Sequence, residues 1–315
     1  MTPPTQRIDI TALRDWLKLR DPSPCPHPKE LDRHVEPNFE RRLIHLVSRD
    51  GDSIPAYLLV PHGLSEPAAA VLVHHQHNGE RHLGKSETVG LAGDAFQAFG
   101  PALANRGVIV LATDSICFED RRSNAKGTMP HSDDWLQHYN EMSYRLVSGD
   151  TLMRKVLEDA ETSLSLLLSL DEVDPLRVGV LGHSCGGNTA LFQAALDRRV
   201  RYACASGAVC SYGDKMRRGT GIEMAEVLPN ALAHFEVLDL LRLVAPRRFL
   251  IASATDDPYS QDADELAINA RQAFADDGVP DALHHLRYEG GHALDRERFE
   301  AIVAWMLDAG RRAAT

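Results

Sequence analysis

Gly182-His183-Ser184-Cys185-Gly186 reads G-x-S-x-G, follows directly on the apolar run Val178-Gly179-Val180-Leu181, and is extended by one more glycine, Gly187. A strand that enters this pentapeptide and leaves it as a helix reverses so sharply that the helix folds back past the strand. Any side chain larger than hydrogen at 182 or 186 would then clash. The strained turn holds a serine Oγ at its tip, so Ser184 reads as a nucleophile. Because five residues with three fixed positions also recur by chance, the rest of the chain has to supply the context.

That context is an alternation of strands and helices. Leu43 to Val47 and Ile54 to Val60 flank Asp50-Gly51, a hairpin signal, so an antiparallel pair opens the main domain. Ala68 to Val73 and Val108 to Ala112 are short continuous apolar runs, as expected of strands covered on both faces. From Thr151 to Leu170 apolar residues recur at three and four residue intervals, which predicts a helix with Asp150 as N-cap. Past the Val178 strand and its elbow, a helix is expected from Gly187 to Asp197. Strands at Tyr202 to Val209, Arg248 to Ala254 and Leu283 to Tyr288 then alternate with helices at Asp262 to Ala275 and Arg296 to Ala309. The pattern is that of an α/β protein, a parallel sheet with helices on both faces and right-handed crossovers.

Residues 1–38 read as a preamble, a helix from Ile10 to Leu19 followed by a proline-rich connector from Asp21 to Pro28, and residues 39–315 as the main domain. Two stretches break the alternation, at about 116–149 and 211–243. Loops of such length inside a compact domain are usually functional, and both read as cap or rim elements over the C-terminal edge of the sheet. In the first, Phe118, Trp135, Tyr139, Met142 and Tyr144 are either pocket wall or anchors on the body.

A serine hydroxyl needs a base to take its proton and an acid to orient that base. After an elbow serine the expected chain order is an acid, then a histidine. The strand ending at Ala254 is followed by Thr255-Asp256-Asp257-Pro258, and the strand ending at Tyr288 by Glu289-Gly290-Gly291-His292. All three groups therefore lie just past strand ends and can converge. Asp257 is preferred over Asp256 as the acid because its spacing from the small residue Ala254 suits a strand-end turn. His292 is the base, and His183, inside the elbow, points away and reads as packing. Two backbone N–H groups are needed for an oxyanion. They are expected at Cys185 and, in His74-His75-Gln76-His77-Asn78-Gly79, at His77, with Gln76 second. His74, His75, His77 and His82 do not read as a metal site, because adjacent strand residues face opposite ways. Arg121 and Arg122 either meet an anionic substrate group or form a surface ion pair with neighbouring acids.

The chain has 315 residues, 43% of them hydrophobic, and a formal net charge of −11 with pI near 5.7. That charge argues against nucleic acid or an anionic membrane as partner, since a phosphate backbone needs a basic surface. The five cysteines (Cys25, Cys117, Cys185, Cys204, Cys210) are scattered and show no CxxC spacing, so neither a disulfide framework nor a zinc knuckle is indicated. The start, Met1-Thr2-Pro3-Pro4, has no basic stretch leading into an apolar one, and no run approaches a membrane span. A soluble cytoplasmic chain with reduced thiols and no cofactor is expected. Its oligomeric state is not readable.

Taken together, Val178 to Gly187, Thr255 to Pro258 and Glu289 to His292 resemble the α/β-hydrolase superfamily. His75-Gln76, Gly84-Lys85-Ser86-Glu87 and Leu111-Ala112-Thr113-Asp114 are similar to its dienelactone-hydrolase-like and acetyl-xylan-esterase-like branch. The resemblance covers Arg41 to Leu307. It implies the α/β-hydrolase fold, with about eight mostly parallel strands and cap insertions, and hydrolysis of a small-molecule carboxylic ester, an acetyl ester among the options. Dienelactone hydrolases proper carry a cysteine where this chain has Ser184, which favours a serine esterase. The same constellation would serve a peptidase or amidase, a lactonase or a thioesterase, and a non-hydrolytic binding protein on this fold is the reading from another class. Gln76, Phe118, Arg122, Trp135 and Tyr139 are the pocket candidates.

Overall fold

A computed structural model of the chain describes residues 8–22 and 27–313, which leaves the middle of the proline-rich connector, Cys25 included, outside the described residues. The chain runs α1 (Ile10–Trp16), β1 (Lys29–Val35), β2 (Phe39–Val47), β3 (Ser53–Pro61), β4 (Ala68–His74), α2 (Lys85–Thr88), α3 (Phe99–Ala104) and β5 (Ile109–Thr113). It continues through α4 (Asp134–Val147), α5 (Leu152–Ser169), β6 (Val173–His183), α6 (Cys185–Leu196), β7 (Tyr202–Ser206) and α7 (Tyr212–Arg218). The remainder is α8 (Val237–Val244), β8 (Arg248–Ala254), α9 (Ala263–Asp276), β9 (Leu283–Tyr288) and α10 (Arg296–Arg312).

Among the described residues nine strands form one sheet in the order β1-β2-β3-β5-β4-β6-β7-β8-β9. The pairs among β1, β2, β3 and β5 are antiparallel, and every pair from β5 across to β9 is parallel. The fold is thus α/β with a mostly parallel sheet, and it has one strand more than expected. That strand is β1, drawn from the supposed preamble. All seven of its residues are exposed, so it carries no alternation of apolar and polar residues to betray it. Its place at the sheet edge explains why charged residues suffice there.

Two cores flank the sheet, and period-two alternation assigns strand residues to them. Along β4, Ala68, Ala70 and Leu72 join the core that contains α5, α6, α8 and α9 residues, while Val71 and Val73 join the one under α3 and α10. Because both faces are covered, β4 is buried at every position. Leu13 of α1 and Leu17 at its C-cap, 2% and 3% exposed, enter the first of these cores. Thus β1 lies in the sheet of the main domain, and α1 packs on its core.

The two insertions are partly helical. The first contains α4, and the second contains α7 and two short 3-10 turns. Its last element, α8, is no rim feature: Leu240, Leu241 and Val244 lie in the core, where the helix packs on α6 and α9. Helix α5 begins one residue later than the apolar pattern predicts. Thr151 is its cap, its Oγ1 accepting from Arg154 N at 3.1 Å, because Asp150 is engaged by Arg145 and Arg154. Among the described residues no helix is long and apolar enough to cross a membrane.

The parallel strands β4, β6, β8 and β9 all deliver their C-terminal ends to one edge, which is where the serine, acid, histidine and His74-to-Gly79 segments sit. If α1 is part of the core, Leu13→Ala should lower the free energy of unfolding by about 2–5 kcal/mol in urea denaturation, the usual cost of a large-to-small core change. A loss below ~0.5 kcal/mol, the size of an ordinary surface change, would show α1 to be an appendage.

Candidate active site

Ser184 sits between β6 and α6 with φ 56° and ψ −124°, a left-handed conformation that a non-glycine residue adopts only where the surroundings impose it. The surroundings are backbone. A Cβ on Gly182 would strike the Gly186 carbonyl, one on Gly186 would strike the His74 carbonyl and lie 2.7 Å from that of His75, and one on Gly187 would lie 2.6 Å from Ser206 O. Ser184 N donates to Ser206 O at 2.8 Å, which pins the turn to β7. Helix α6 leaves immediately, so its free N–H groups and positive dipole end lie beside the serine.

His292 Nε2 lies 2.8 Å from Ser184 Oγ, and His292 Nδ1 lies 2.9 Å from Asp257 Oδ1. The carboxylate holds the proton on Nδ1 and leaves the Nε2 lone pair to accept from the serine hydroxyl. Asp257 is fully buried, and it accepts also from Tyr259 N at 2.9 Å and Ser260 Oγ at 2.8 Å. Burial opposes its charge, but the bond and charge of His292 and these two donors outweigh it and hold the carboxyl below its usual range. Asp256 is exposed, and its N–H bonds Gly290 O at 2.9 Å, tying the acid loop to the histidine loop. His183 is buried behind the site with Nδ1 2.9 Å from Ser206 Oγ and its ring 4.8 Å from that of His292. Burial, then the neighbouring His292, lowers its pKa to about 3.

A cavity of about 270 Å³ opens on this group. Ser184, Cys185, His292, His77 and Trp135 line it, and so do Arg81, Asn188, Glu223, Glu226 and Tyr259, which the sequence did not single out. Asn188 had a readable signal, since it follows Ser184 by one helical turn. Glu223 had none, lying in an insertion without periodicity. Its carboxylate meets His77 Nε2, while His77 Nδ1 accepts from Gly79 N at 2.9 Å.

The remaining candidates are placed elsewhere. Gln76 is buried with its amide 3.2 Å from Glu87 Oε1, and burial pushes the Glu87 carboxyl up to about 7. Phe118 is buried behind His77, ring centroids 6.2 Å apart, and edge-on to His75 and His138. Arg122 is neither a substrate ligand nor a surface pair. It is fully buried, with Nη1 2.7 Å from each oxygen of Asp134 and Nη2 on the carbonyls of Gly127 and Met129. Arg121 is likewise buried, against Asp159 and Asp52. Tyr139 stacks on Trp135 at 5.1 Å, outside the cavity wall. The histidines separate as the strand geometry requires, His74 going to Gln193 Oε1 at 2.7 Å and His75 to Gln76 O and Ser115 N.

Lys85 and Asp114 form an internal pin instead. The Lys85 ammonium, 1% exposed, bonds Asp114 at 2.9 Å, Asp120 at 2.7 Å and also Glu119, and Ser86 Oγ bonds Glu119 at 2.6 Å. This ties the start of the first insertion to the loop after β4.

The family described as acetyl xylan esterase (AXE1) matches residues 43–217, more than half of the chain and the elbow with it. The chain belongs to the acetyl xylan esterase family. It is accordingly a carboxylic ester hydrolase of the α/β-hydrolase fold, and of the branches it resembles this is the one that the match shows. A Bacillus subtilis (strain 168) protein named as a hydrolase, YtaP, is 28% identical over 267 residues, 81% of this chain and 84% of its own. A Bacteroides fragilis NCTC 9343 structure described as an acetyl xylan esterase superposes with TM-score 0.74 at 16% identity, covering 95% of this chain and 86% of the other. The acetyl xylan esterase of Paenibacillus sp. R4 does so with TM-score 0.67 at 17% identity, covering 98% and 96%. The family match ends before Asp257 and His292, so for those two the geometry speaks alone.

Burial drives the Cys185 thiol far above its usual range and those of Cys117 and Cys210 to about 12. Iodoacetamide at pH 7 should therefore leave ester hydrolysis intact over an hour, and rapid inactivation would show a reactive thiol in the site. Glu87 supplies a pH test. Its folded pKa stands above the unfolded one, so stability falls as pH rises from about 4.5 through about 7. Glu87→Gln should be more stable than wild type at pH 8 by about 1–3 kcal/mol and equal to it near pH 4. A constant difference across that range would mean that Glu87 is not buried as a neutral acid.

Proposed function

We propose that this esterase removes short acyl groups, acetyl in particular, from small hydroxylated molecules by a covalent acyl-enzyme on Ser184. The observation that carries the reading is the unbroken contact chain from Ser184 Oγ through His292 to buried Asp257. In the first half-reaction the Ser184 oxygen bonds the ester carbonyl carbon while His292 Nε2 takes the hydroxyl proton. The oxyanion lies against the backbone N–H of Cys185, at the N-terminus of α6, and that of His77. His292 returns the proton to the leaving alkoxide, which departs as the alcohol. Water then attacks the acyl-enzyme with His292 again as base, releasing the carboxylic acid and restoring Ser184. Asp257 stays ionised throughout and stabilises the imidazolium that forms twice per cycle. The acetyl preference is supported by family membership, and by a cavity of about 270 Å³ that suits a short acyl group better than a long chain.

A fluorophosphonate should add to wild type at Ser184, read by intact mass and peptide mapping. Ser184→Ala should lower kcat/KM for 4-nitrophenyl acetate by at least ~10³-fold, and Asp257→Asn by a comparable factor with KM little changed. A wild-type protein that takes no adduct, or a Ser184→Ala variant with full turnover, defeats the mechanism. A falling rate from acetyl to butyryl to octanoyl ester is expected, and the reverse order removes the acetyl assignment alone.

A further inference from the structure

Glu223 lies within the long second insertion and Asn188 on α6, yet both line the Ser184 cavity. Each has one oxygen whose orientation is settled by its neighbours. Gly79 N–H donates to His77 Nδ1 at 2.9 Å, so that nitrogen carries no proton and the ring hydrogen is on Nε2, which donates to Glu223 Oε2. The other oxygen, Glu223 Oε1, is buried and has no hydrogen-bond partner. Asn188 Nδ2 donates to Glu226 Oε2 at 3.0 Å, the same carboxylate that accepts from Lys215 at 2.7 Å. Turning the amide over would set its oxygen against a carboxylate, so Nδ2 stays there and Oδ1 faces away. Asn188 Oδ1 is also buried without a partner. Arg81, the cation on the same wall, is engaged by His138 Nδ1 at 3.3 Å and Gly79 O at 3.2 Å.

We propose that Glu223 Oε1 and Asn188 Oδ1 are specificity-determining acceptors that take hydrogen bonds from hydroxyl groups on the alcohol part of the ester. The inference rests on Ser184 being the nucleophile. Its physical basis is that a buried acceptor without a donor is costly, so an alcohol that supplies donors gains what one lacking them forfeits. Both acceptors are held before substrate arrives, Glu223 by His77 and Asn188 by Glu226.

The test compares glycerol monoacetate, with two free hydroxyls, against propyl acetate, with none, both followed by acetate release. Wild type should favour the glycerol ester by about tenfold or more in kcat/KM, mainly through KM. Glu223→Gln keeps one acceptor for His77 and replaces the other by an NH₂ donor, and Asn188→Ala removes its acceptor. Each should cut that preference by about tenfold, whatever it does to the absolute rate. Equal turnover of the two esters by wild type, or a preference untouched in both variants, overturns the proposal. Fluorophosphonate labelling of the same samples separates the two readings: an adduct with no preference refutes only the acceptor role, whereas no adduct on wild type refutes the nucleophile and the acceptor role with it.

Discussion

Backbone packed on backbone at the end of β6 is the constraint on which the rest of the site depends. Ser184 is held at φ 56° because strand and helix leave it in nearly reversed directions with no side-chain volume between them. Three glycines let the β6 end, the α6 start, the β4 end and Ser206 of β7 approach to contact. This crowding does two things at once. It brings the serine hydroxyl to His292, and it leaves the first N–H groups of α6 free beside that hydroxyl. A methyl group at 182 or 186 would move those backbones apart and spoil both, which makes the elbow a single device.

The sheet edge supplies the partners and the insertions close the space above them. β8 and β9 are parallel neighbours, so the loops after them run side by side, joined by Asp256 N to Gly290 O and Thr255 N to Tyr288 O. That pairing sets the distance from Asp257 to His292. Over the other side, the Lys85 pin and the Arg122 contacts with Asp134 organise the first insertion through buried charge, since desolvated ions must be matched. The second insertion reaches back through Glu223 to His77. An esterase cavity results whose wall sets Arg81, Asn188, Glu223 and Glu226 beside the rings of Trp135 and Tyr259.

Arg248 to Ala254, buried on both faces, was legible, and Leu283 to Tyr288, half-buried at the sheet edge, is likewise a strand at the expected residues. Amphipathic helices such as α9 and α10 were legible too, to within a few residues. β1 escaped notice because an edge strand needs no apolar face, and α8 because its apolar stripe lies inside a segment otherwise irregular. Arg122 misled because sequence shows a charge and its acidic neighbours but not their burial. The choice of Asp257 over Asp256 rested on spacing, and the two side chains do part there, one buried on His292 and one in solvent.

By itself the sequence determined the elbow, the strand-end positions of Ser184, Asp257 and His292, and the alternation that makes the sheet, because each is a local pattern of residue size and period. Only the tertiary structure decided which residues face the serine from afar. Glu223, Asn188, Arg81 and Tyr259 meet at one cavity through loop paths and packing of distant segments. No short-range rule encodes such paths, for they follow from where buried charges find partners and where backbones can touch.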